Sequence, residues 1–218
     1  MAAIGIIDYG MGNLHSLSKA LEKVCGHARV VLSRDPEQLA RCDRLVLPGV
    51  GAAAACMAEL RRLGLDEFVR TEVQRKPLLG VCLGMQVLLD ASTENGGVTT
   101  LGLIHGQVLR FPDPPPAGAS GGPRLKVPQM GWNRVRQSLP HPLWEGVADA
   151  SWFYFVHSYY AVPASEADFL GEARYGRRFA AAVVHDNLAG VQFHPEKSQA
   201  AGLRVLANFA TWKGVNGG

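Results

Sequence analysis

What this sequence lacks narrows its class. Only 4 cysteines occur in 218 residues (Cys25, Cys42, Cys56 and Cys82). They match no zinc-ligand spacing and are too sparse for a disulfide scaffold, so a reducing cytoplasm is the simplest home. No stretch offers the ~20 apolar residues of a membrane-spanning helix. The opening MAAIGIIDYG has no basic segment, no long apolar core and no small-residue cleavage site, so no secretory leader is expected. Long basic runs are absent and the net charge is only +3, which gives no footing for nucleic acid or membrane. No internal repeat is found. His15, His27, His105, His141, His157 and His185 show no metal-ligand spacing with cysteine or carboxylate. Neither a metal nor a cofactor is expected.

What is present is an ordinary globular balance, 47% hydrophobic and 19% charged. A chain of this length fits one domain, 1–218, better than two. Short apolar runs alternate with helical patterns in the first half. AIGIID (3–8), ARVVL (28–32), RLVLPG (44–49) and PLLGVC (77–82) read as strands. Helices are predicted from Asn13 to about Cys25, from Asp35-Pro36 onward, from Ala52 to Arg75 and over 84–91. Such alternation predicts an α/β fold, a mostly parallel sheet flanked by helices. After Gly96-Gly97 the runs are shorter and β-rich, predicting hairpins and a mixed sheet before a closing helix at 201–213. The Pro/Gly-dense stretch 112–123 reads as a surface insertion.

The strongest local signal is Gly80-Val81-Cys82-Leu83-Gly84, with a strand running in and a helix running out. That is the setting of a nucleophile elbow carrying cysteine in place of serine. The glycines permit the tight turn. A helix N-terminus behind the sulfur favours thiolate, and the Leu83 amide is placed to donate to an oxyanion. A lone cysteine is usually structural, the reading kept for Cys25, Cys42 and Cys56. A thiolate needs an acid–base partner and an orienting group. His194-Pro195-Glu196 offers both after the strand LAGVQF. Pro195 biases His194 toward extended backbone, where residues i and i+2 point the same way. Taken alone, the tripeptide also reads as a strand-end turn with a solvated Glu. Gly49-Val50-Gly51 follows the third strand without the pattern of a phosphate loop. It is read as an oxyanion strand facing Cys82, against the plainer reading of a strand–helix turn.

Together GVCLGMQ, PGVG and VQFHPE resemble the class I glutamine amidotransferases. DYGMGNL (8–14), KVPQMGWN (126–133), YFVHSY (154–159) and HPEKSQ (194–199) narrow the resemblance to the glutaminase subunits of imidazole glycerol phosphate synthase. The resemblance implies a Cys82–His194–Glu196 triad that hydrolyses L-glutamine, with Leu83, Val50 and Gly51 forming the oxyanion hole. It implies substrate contacts at Gly49, Gln86, His157, Ser158 and Tyr159. It also implies a heterodimer with a (β/α)₈-barrel synthase (cyclase) subunit, met by Asn13, Met130, Trp132 and Lys197, to which ammonia is passed for histidine biosynthesis. The resting 49–51 segment should turn a carbonyl, not an N–H, toward the site. Glutaminases of other pathways in the same class are disfavoured by KVPQMGWN and YFVHSY. A stand-alone γ-glutamyl thiol hydrolase would use the same triad and turn over fast without a partner. A non-catalytic subunit would not need the intact triad.

Overall fold

The computed structural model describes residues 2–112 and 125–215. Apart from Pro112, the stretch expected as a surface insertion lies outside them. The first half runs β1 (Ala3–Ile7), α1 (Leu14–Val24), β2 (Arg29–Ser33), α2 (Pro36–Ala40), β3 (Arg44–Leu47), α3 (Ala53–Arg62), α4 (Leu65–Glu72), β4 (Leu78–Val81) and α5 (Leu83–Gln86). The second half holds β5 (Ala91–Ser92), β6 (Val98–Thr99), β7 (Gly106–Arg110), β8 (Gln129–Gln137), β9 (Ser151–His157), β10 (Tyr159–Pro163), β11 (Phe169–Arg174), β12 (Arg178–His185) and β13 (Leu188–Val191). α6 (Gln199–Thr211) closes the chain.

The sheet order is β2-β1-β3-β4-β13-β12-β10-β7-β5-β6. β2, β1, β3, β4 and β13 are mutually parallel. β12 turns antiparallel to β13, and β11, β8 and β9 extend from it as a further antiparallel run. The parallel strands are apolar on both faces because helices cover both. On one face Ile4, Ile6, Val46, Leu79 and Val81 meet Leu17 and Leu21 of α1 and Val205, Leu206 and Phe209 of α6. On the other, Ile7, Leu45, Leu47 and Leu78 meet Leu39 of α2, Met57 and Leu60 of α3, and Val69 of α4. Each such fully buried side chain stabilises the fold by ~1.5–3 kcal/mol relative to its exposed state.

Two predicted helices differ from those observed. The span 52–75 is broken by Gly64, whose φ of +65° ends α3 in the left-handed region and lets Leu65 start α4. The span 84–91 is cut to the single turn of α5. Its downstream carbonyls are taken by another segment: Val87, Leu88 and Leu89 accept from the amides of Leu101, Leu103 and Gly102 at 2.8, 2.8 and 2.7 Å. Ala91–Ser92 then pairs with β7. Tertiary hydrogen bonds override the local helical pattern, and the long helix dipole expected beneath Cys82 shrinks to one turn.

Candidate active site

β3, β4 and β13 lie side by side in parallel, with Leu47 opposite Gly80 and Val81 opposite Val191. Gly49–Gly51, Cys82 and His194–Glu196 leave the carboxyl ends of these three strands, where open α/β sheets gather their sites. Cys82 takes φ +55° and ψ −111°, a strained backbone for a residue with a side chain. The elbow is held by close packing. A Cβ on Gly84 would sit 1.8 Å from the Leu47 oxygen, and one on Gly80 would sit 2.7 Å from the Gly84 oxygen.

His194 is extended, at φ −93° and ψ 99°, and its amide donates to the Tyr154 carbonyl at 2.9 Å. The expected i, i+2 alternation does not carry Glu196 to it. Pro195–Lys197 form a 3-10 turn, and that turn brings the carboxylate back beneath the ring. Glu196 Oε1 lies 3.0 Å from His194 Nδ1, with both side chains almost wholly buried. Cys82 also acts on the ring. Burial opposes charge on His194, but hydrogen bonds and charge from Cys82 and Glu196 outweigh it and raise its pKa to about 10. The imidazole thus holds its proton at neutral pH.

A cavity of about 370 Å³ opens above the sulfur. Val50, Gly51, Leu83, Gln86, His157, Ser158, Tyr159 and Lys197 line it together with Cys82 and His194. Gln86 Nε2 donates to the Tyr159 carbonyl and to Gln192 Oε1, both at 2.9 Å. The ring nitrogens of His157 are engaged by the Tyr159 carbonyl at 2.8 Å and Gln129 Oε1 at 3.0 Å. Burial is the main cause that lowers its pKa to about 4, and these two contacts brace the strand end.

The Leu83 amide, expected to be free, is not. It donates to the Gly49 carbonyl at 3.3 Å. The peptide after Gly49 therefore presents oxygen to the elbow, the orientation expected of a resting segment. Met130 and Trp132 are exposed on β8, at 66% and 43%, and Lys197 Nζ stands 5.9 Å from the Tyr154 ring centroid. Asn13 is drawn toward the His194–Glu196 pair, its Nδ2 3.4 Å from Glu196 Oε1. It precedes α1 without capping it.

Two residues at the site escaped the sequence reading. Gln192 is fully buried and its Nε2 lies 3.8 Å from Cys82 Sγ. The i, i+2 relation to His194 was a usable signal for it. Glu94 lines the cavity from a turn whose sequence gives no such signal.

A family model described as glutamine amidotransferase class-I matches residues 5–212. The imidazole glycerol phosphate synthase subunit HisH of Methylococcus capsulatus is 56% identical over 98% of this chain and 98% of its own length. The HisH subunit of Aromatoleum aromaticum is 51% identical over 97% and 99%. Among solved structures, PurLQS from Thermotoga maritima superposes with a TM-score of 0.70 at 16% identity, covering 95% of this chain and 97% of that one. A glutamine amidotransferase crystal structure gives 0.68 at 21%, covering 95% and 98%. At such identities the structures establish the fold, while the curated relatives match along the whole chain. This chain belongs to the class I glutamine amidotransferases, among the HisH subunits of imidazole glycerol phosphate synthase.

Proposed function

We propose that this chain hydrolyses L-glutamine at Cys82 and delivers the ammonia to a (β/α)₈-barrel synthase subunit, which uses it to form imidazole glycerol phosphate in histidine biosynthesis. The main support is the pairing of an elbow cysteine with the buried His194–Glu196 pair at the mouth of one cavity. The Cys82 sulfur attacks the side-chain amide carbon, and the carbonyl electrons move onto its oxygen. The C–N bond breaks as His194 gives its proton to the leaving nitrogen, releasing ammonia and leaving a glutamyl thioester. His194, now neutral, takes a proton from water as that water attacks the thioester, and glutamate departs with the thiolate restored. Glu196 keeps the ring oriented through Nδ1. Gln86 and the 157–159 backbone hold the substrate, and Glu94 offers the counter-charge for its α-ammonium group.

The tetrahedral oxygen needs two donors, Leu83 N–H and an amide from the 49–51 segment. With the Gly49 carbonyl seated on Leu83 N–H, that donor is taken, and the Val50 N–H on the same trans peptide points the opposite way. Losing one such donor costs ~10²–10³ in turnover, so the chain alone should be a slow glutaminase. Met130, Trp132, Lys197 and Asn13 contribute the surface that meets the synthase subunit. Glutamate release is measured for the chain alone and after co-purification with the barrel subunit and its nucleotide ligand. Stimulation of ~10²-fold or more is expected. Rapid turnover without the partner would instead favour a stand-alone γ-glutamyl hydrolase.

A further inference from the structure

Tyr9 follows β1 and has no part in the chemistry above. It is buried, and its hydroxyl donates to the Pro48 carbonyl at 2.8 Å. A Cβ on Gly49 would come within 2.8 Å of that hydroxyl, so the phenol tip also packs on the backbone whose carbonyl occupies Leu83 N–H. A phenylalanine would fill nearly the same space, which makes the oxygen the informative atom. At the far end of the segment, the Ala53 amide donates to Glu94 Oε2 at 2.5 Å. Between these anchors lie Gly49, Val50, Gly51 and Ala52, with Gly51 at φ +90°.

Exchanging the Gly49 carbonyl for the Val50 N–H requires turning one peptide plane. A proline at 48 has a ring-locked φ. With its carbonyl also held, the plane between Pro48 and Gly49 is fixed, and rotation is confined to ψ of Gly49 and φ of Val50. We infer that Tyr9 is a positioning residue for the oxyanion segment: its hydroxyl holds the Pro48 carbonyl and packs on Gly49, fixing the plane from which the Gly49 carbonyl is aimed at Leu83 N–H, so that the resting orientation is favoured over rearrangements that move the whole segment. This rests on the glutaminase reading. It adds a residue that sets how often the hole opens, distinct from those that touch substrate.

The test is Tyr9→Phe in the full chain, read in two ways. Amide hydrogen exchange in 49–53 should accelerate by roughly three- to tenfold, the weight of one hydrogen bond, with the rest of the chain unchanged. Glutamine hydrolysis without the partner should rise in kcat by a similar factor at unchanged KM, and the partner's stimulation should shrink accordingly. A purely structural role would lower basal and stimulated rates in the same proportion. That result, or unchanged exchange at 49–53, would overturn the inference. 3,5-Difluorotyrosine at position 9 keeps the fold and strengthens the donor, and should slow exchange in the same segment; acceleration there would also overturn it. If the unsubstituted chain hydrolyses no glutamine even with the ligand-bound barrel subunit, the functional reading fails, while the exchange measurement still decides the role of Tyr9.

Discussion

Replacing Gly84 with alanine should damage both the fold and the chemistry, by amounts the packing sets. The new Cβ would lie 1.8 Å from the Leu47 oxygen and 2.8 Å from its carbon. Even a close C···O approach is ~3.3 Å, so the elbow and the end of β3 must part by roughly 1.5 Å. Both are backbone, and no side chain can swing aside. Overpacking of this kind costs ~1–3 kcal/mol, a fall of ~2–12 °C in melting temperature for a domain of this size. The displacement falls on the residues flanking the nucleophile, where a shift of ~1 Å costs ~10²-fold. Differential scanning fluorimetry and glutamate release by the partner-stimulated enzyme measure the two effects. Gly26→Ala is the control. Gly26 has φ +61° and open space around its missing Cβ, so only left-handed strain of ~1–2 kcal/mol applies and turnover should stand. If Gly84→Ala keeps native turnover and melting temperature, the close packing of β3 on the elbow is not what sets the nucleophile.

Cys82→Ala should abolish glutamine hydrolysis, a loss of ~10⁴-fold or more, while alanine at Cys25, Cys42 or Cys56 retains it; covalent labelling elsewhere with full inactivation would contradict this. Since the folded pKa of His194 is raised from 6.5 to about 10, its stabilising contribution is full below about pH 6.5 and lost as pH rises through about 10. In Cys82→Ala the His194 midpoint followed by NMR should move down, because Cys82 contributes to the upward shift; an unmoved midpoint would refute the coupling. Lys197→Glu should weaken binding to the barrel subunit and the stimulation that follows. Unchanged affinity with lost basal turnover would place Lys197 in the chemistry instead.

The parallel half was legible because strands buried on both faces carry unbroken apolar runs such as Ile4 to Ile7 and Leu45 to Leu47, punctuated by glycine and proline. The elbow was legible because Gly80 and Gly84 flank a cysteine at a strand–helix junction. Physics that acts across the chain was not. Nothing in GMQVLLDA reveals that Val87, Leu88 and Leu89 will surrender their carbonyls to residues 101–103. Glu94 reaches the cavity from a turn without periodicity, and Asn13, expected at the partner interface, turns its amide to Glu196. The Leu83 amide looked free because an elbow exposes it locally. Its partner, Gly49, comes from a different strand end.

The place of β13 in the sheet also governs when the candidate site is assembled. It is the last strand made, yet it lies in the interior, between β4 and β12. A growing chain therefore displays the nucleophile-bearing strand with an unpaired edge, a template for misassembly, through the synthesis of the entire antiparallel half. Filling that slot removes the edge and, in the same stroke, delivers His194 and Glu196 to the sulfur. A molecule without β13 thus presents the Cys82 thiol with no His194–Glu196 pair beside it.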